Sequence, residues 1–188
     1  MQTPYDIAHS LLGKGEVPDR QTLSEFMANG GQNLDPVTTA WCAAFVNASL
    51  GKAGVEGTGK LNARSFMDWG QPVDQPQRGD VAVFSRGDPN GWQGHVGFFE
   101  GYNPDGTIRV LGGNQGNEVG IGSYDPDSLL GFRRAPETGN ALRGPDFIPQ
   151  PQQPAGNALA MPDFSRSREF IPGMGVDPRV LASIRGYA

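Results

Sequence analysis

The chain has 188 residues and a formal net charge of −5, enough for one domain with an appendage and without the basic face a nucleic-acid binder would show. Its apolar runs fall far short of the roughly 20 residues a membrane span needs, and Met1 to Gly15 shows neither the basic start nor the apolar stretch of a secretory signal. One cysteine, Cys42, excludes an internal disulfide, and with only two histidines beside it no metal site or other cofactor is expected.

The first element predicted is a short helix opened by Thr3-Pro4, with Ile7, Ala8, Leu11 and Leu12 on one face and Gly13 beyond. A second should run from about Asp19 to Asn29, with Leu23, Phe26 and Met27 turned inward and Gly30-Gly31 ending it. The strongest helical signal follows: Thr38 or Thr39 as cap, Trp41, Phe45 and Ala48 as an apolar stripe, and Gly51 as terminator. A short helix over Ala63 to Trp69 completes the helical half.

After Pro76 the period changes to two. Strands are predicted at Val81–Phe84, His95–Phe99, Thr107–Leu111 and Leu130–Arg133. Asn103-Pro104-Asp105-Gly106 fits a type I turn and should join the second and third as a hairpin. Arg78-Gly79-Asp80 reads as a loop entering a strand, not as an adhesion signal. Helices followed by an antiparallel sheet predict an α+β domain over residues 1–136. Residues 137–188 are rich in Pro, Gly, Asn and Gln and form a second, extended segment. It repeats itself: Gly139-Asn140-Ala141-Leu142-Arg143-Gly144-Pro145-Asp146-Phe147 returns as Gly156-Asn157-Ala158-Leu159-Ala160-Met161-Pro162-Asp163-Phe164. Two copies of one motif suit two copies of one docking site on a partner. Asp177-Pro178 should open a short C-terminal helix.

Cys42 falls in the first turn of its helix with either threonine as cap. Free backbone amides and the helix dipole favour a thiolate there, and the same amides suit an oxyanion. The competing reading is a small buried hydrophobe. His95 opens a strand after Gly91-Trp92-Gln93-Gly94. A turn centred between Pro104 and Asp105 places Asn114 opposite it, where an amide can fix the ring's tautomer; a bulge after the turn would bring Gln115 there instead. Trp41, Trp69 and Trp92 are candidates to line a groove, with core packing the competing reading, above all for Trp41 and Trp69. The polar loop Ser85–Gly94 is a better candidate for substrate contact.

Trp41-Cys42-Ala43-Ala44-Phe45-Val46-Asn47, Gly79-Asp80-Val81-Ala82-Val83-Phe84, Gly94-His95-Val96-Gly97-Phe98 and Leu111-Gly112-Gly113-Asn114-Gln115 together resemble a phage-associated branch of the NlpC and CHAP papain-like cysteine hydrolases. The resemblance spans about Tyr5 to Pro136 and departs from the expected pattern at Ala40, where a proline would precede Trp-Cys. It implies a papain-like fold and a catalytic set of Cys42, His95 and Asn114; beside these, substrate contacts are expected at Trp41, Trp92 and Gln115. It also implies peptidoglycan as substrate, cut as an endopeptidase or amidase through a thioester. The leading expectation is an enzyme carried in a phage virion at the tail, docked to tail proteins through residues 137–188. A soluble endolysin and an inactive structural tail component are the alternatives.

Overall fold

The computed structural model describes residues 2–136; the predicted tail repeats and C-terminal helix lie outside them. Helix α1 (Pro4–His9) begins as its sequence demands. Thr3 and Asp6 form a reciprocal capping box, with Asp6 N–H on Thr3 Oγ1 at 3.1 Å and Thr3 N–H on Asp6 Oδ2 at 3.1 Å. Helix α2 (Arg20–Ala28) buries Leu23, Phe26 and Met27. Asp19 precedes it without capping it, because its carboxylate is taken by Lys14 Nζ at 2.7 Å and the Gly15 amide at 3.0 Å.

Helix α3 (Cys42–Lys52) is buried from Cys42 through Leu50, a helix apolar on nearly all sides and so placed inside the domain. Two expectations fail at its ends. Neither Thr38 nor Thr39 caps it: both amides bond to the Asp35 carbonyl in a preceding turn, and the cap position falls on Trp41, which offers no side-chain acceptor. The helix also passes through Gly51 and stops one residue later. The short helix expected over Ala63 to Trp69 is a 3-10 helix, Ala63–Asp68.

The sheet has six antiparallel strands in the order β1-β6-β2-β3-β4-β5, with β1 Gln71–Val73, β2 Val81–Ser85, β3 Gly94–Tyr102, β4 Ile108–Gly112, β5 Gly120–Tyr124 and β6 Leu129–Arg134. Four were predicted. Of the other two, β1 has only three residues, and in β5 the alternation of Gly120-Ile121-Gly122-Ser123-Tyr124 offers glycine where strand propensity needs bulk. Val81, Val83, Val96, Phe98 and Leu111 face the helices and share their core, while Ala82, Phe84, Phe99, Ile108, Val110 and Phe132 build a second cluster. The Arg-Gly-Asp triplet is a strand entry as expected. Asp80 is buried there and receives Arg134 on both carboxylate oxygens at 2.8 and 2.7 Å, fastening the start of β2 to the end of β6.

The β3–β4 hairpin turns as predicted: Gly106 N–H reaches Asn103 C=O at 2.9 Å, and Gly106 takes a φ of +86°, which favours glycine. That turn shifts the register by one residue, pairing Tyr102 with Ile108, and a bulge at Glu100 shifts it back so that Phe98 pairs with Leu111. The predicted register therefore holds beyond the bulge. It does not carry Asn114 to His95, because β4 ends at Gly112. Among the described residues no helix is long and apolar enough to cross a membrane.

Candidate active site

Cys42 is the first residue of α3, with 7% of its surface exposed. Since no side chain caps α3, its leading amides remain free to serve a ligand or a thiolate. Burial pushes the thiol above its ordinary value. Against that act the backbone N–H of Val96, the charge of Arg86 and the amides of Ala43 and Cys42, all of which favour the thiolate. The Val96 contact matters most for location. It puts the sulfur beside β3 at the residue that follows His95.

His95 pairs with Phe84 across β2 and is fully buried. Neither ring nitrogen has a hydrogen-bond partner among the described residues, an uncommon condition for buried polar atoms. Burial, helped by the Arg86 charge, lowers its pKa from 6.5 to about 3, so the ring is neutral at ordinary pH. Gln115 acts the other way, close enough to favour the charged ring without making a hydrogen bond to it. The thiol and imidazole thus rest as an uncharged pair and are not hydrogen-bonded to each other.

What holds the ring is a stack rather than an amide. Tyr124, on β5, lies nearly parallel to His95 at 5.1 Å between centroids and 12°, and to Phe84 at 4.6 Å and 25°. Its hydroxyl donates to Gln115 Oε1 at 2.6 Å, and burial raises its pKa to about 12, which keeps it a donor. The Gln115 amide nitrogen donates in turn to the carbonyls of Val110 at 3.1 Å, Gly112 at 3.1 Å and Gly120 at 2.5 Å. Gln115 therefore ties β4 to β5 and anchors the tyrosine that supports the histidine.

Asn114 is placed otherwise than expected. It sits in the loop after β4 with φ +58°, off any ladder, and its side chain makes no hydrogen bond among the described residues. The expected amide bond to the imidazole is absent. Trp41 does not line an open groove as expected: it is fully buried, packs edge-on against Phe45 at 6.0 Å, and donates its Nε1–H to Glu16 at 3.3 Å, so it is part of the core. It abuts Gly113 so closely that any side chain there would meet the Trp41 ring and Phe45, which fixes the loop that carries Asn114 and Gln115. Trp69 is half-buried against Phe66. Trp92 is 75% exposed on the β2–β3 loop and remains available to a ligand.

That loop is built rather than slack. Arg64 spans it with three bonds, to the carbonyls of Gln93 at 2.9 Å, Pro89 at 2.9 Å and Asp88 at 3.2 Å. Tyr124, Arg86 and Arg64 escaped sequence reasoning. The first lies in the glycine-rich strand that was not predicted, and the other two carry no spacing signal that separates them from surface arginines. Among the described residues no group of three or more His, Cys, Asp or Glu could hold a metal ion.

No curated protein matches the chain. Residues 34–114, which include Cys42, His95 and Asn114 and stop just short of Gln115, match the family model of the CHAP domain.

Proposed function

We propose that this protein hydrolyses a peptide or amide bond of peptidoglycan, with Cys42 as nucleophile and His95 as general base and acid. The match to the CHAP family model supports a peptidoglycan hydrolase in general. The observation that carries the specific reading is the meeting of Cys42, first residue of an uncapped buried helix, with the Val96 amide next to a neutral His95 whose nitrogens are both unengaged.

In the first step the Cys42 sulfur attacks the scissile carbonyl carbon while the thiol proton passes to His95. The carbonyl oxygen becomes an oxyanion, and the free amides at the start of α3 are the donors at hand. Collapse breaks the C–N bond, and His95 returns its proton to the departing amine. A water molecule then adds to the thioester as His95 takes its proton, and cleavage of the C–S bond releases a carboxylic acid and the thiol. Tyr124 and Gln115 position the base and touch no reacting atom. Delivery on a phage tail, with residues 137–188 as the attachment segment, is part of the proposal and is supported by the duplicated motif in the sequence.

The test is a turbidity and amine-release assay on purified wall. Wild type should clear it, and Cys42→Ala should not while keeping the wild-type circular dichroism, because alanine suits a first helical turn at least as well. Wall clearing by Cys42→Ala within a few-fold of wild type would remove Cys42 from the mechanism, and an inert wild type would favour a structural component.

A further inference from the structure

Arg86 has no part in the mechanism above, yet it stands at the site. It extends the β2–β3 ladder by one step, its N–H reaching the Gln93 carbonyl at 3.3 Å beyond the Ser85–Gly94 pair. Two residues after Phe84 on an extended chain, it falls on the face that carries Phe84 and, across the ladder, His95. It is exposed, and among the described residues it makes no ion pair, whereas Lys14, Arg20, Arg78, Arg109 and Arg134 each meet a carboxylate. The three Arg64 bonds hold its loop, so the guanidinium is presented from a fixed base.

Its charge does not serve the proton transfer. It favours the thiolate of Cys42 and disfavours the imidazolium of His95, and these effects oppose each other when a proton moves from one to the other. An unneutralised cation beside the reacting pair calls for an anion brought by the substrate. Wall stem peptides supply one in their free carboxylates, and a guanidinium binds a carboxylate through two parallel hydrogen bonds.

We propose that Arg86 is a specificity residue that binds a carboxylate of the stem peptide next to the scissile bond. The inference rests on the peptidoglycan-hydrolase reading. It is tested with one wall preparation divided in two, half with its carboxyls converted to carboxamides by carbodiimide and ammonia, half mock-treated. Wild type should lose about tenfold or more in kcat/KM on the amidated wall, the scale of a charge-assisted contact. Arg86→Gln should lose a similar factor on the mock-treated wall and nothing further on the amidated one, with Arg86→Lys in between. Equal cleavage of both walls by wild type, or an Arg86→Gln variant that stays sensitive to amidation, overturns the subsite while leaving the hydrolase reading intact. Failure of wild type on both walls overturns the hydrolase reading and the subsite with it. The wild-type comparison needs no variant, so a poorly folding Arg86→Gln would not blunt the test.

Discussion

His95 is buried without a hydrogen-bond partner, and that burial has a measurable consequence for stability. An unfolded chain protonates this ring near 6.5, whereas the folded one resists until about 3. Between those values the unfolded state binds the extra proton. Stability contributed by the neutral ring is therefore full above pH 6.5 and declines as pH falls toward 3, at no more than about 1.4 kcal/mol per pH unit. Urea midpoints measured from pH 7 to pH 4 should fall more steeply for wild type than for His95→Gln, which has nothing to protonate. Parallel slopes would mean that the ring is less enclosed than described. The same shift keeps the base deprotonated in mild acid, so the acid limb of kcat/KM should lie below the usual histidine range.

Elements decide which polar residue supports the base. The turn residues Asn103 to Gly106 placed the β3–β4 hairpin correctly, and alternation placed His95 at the start of a strand. Local signals could not show that the turn and the Glu100 bulge would offset each other, nor that β4 would stop at Gly112. Where a strand ends depends on what its next residues pack against. Here Gly113 meets Trp41 and Phe45, and the chain leaves the sheet before Asn114 can face His95. The helical half shows a similar division. Thr3-Pro4 was legible as a cap because the box is local, while the start of α3 at Cys42 depends on the turn built around Asp35. Strand β5 and its Tyr124 were hidden by glycines that strand propensity counts against. The structural arrangement predicts that Gln115→Ala lowers activity more than Asn114→Ala, since it frees the Tyr124 hydroxyl and three strand carbonyls. A larger loss in Asn114→Ala, at equal thermal stability, would restore Asn114 as the partner of the histidine.

At the scale of the whole molecule, the described residues form one two-sided sheet with helices on one face; Cys42 starts one of those helices and His95 lies on strand β3. The expected α+β architecture and the papain-like placement of a cysteine at a helix start and a histidine on a strand were legible because they rest on periodicity and motif order. The tail, residues 137–188, was legible only as composition and repeat. In the docking role proposed for it, it should be dispensable for chemistry. A chain cut after Pro136 should clear purified wall as well as the full protein while failing to enter its assembly, and normal incorporation of the truncated chain would make the tail a passenger. The claim beneath all of this is a covalent bond between Cys42 and the substrate. Acid-quenched enzyme, taken during turnover of a soluble wall peptide and digested for mass spectrometry, should carry one acyl fragment on the peptide that contains Cys42, absent from Cys42→Ala. Full turnover with that peptide unmodified at every quench time, or acylation at another residue, would contradict it.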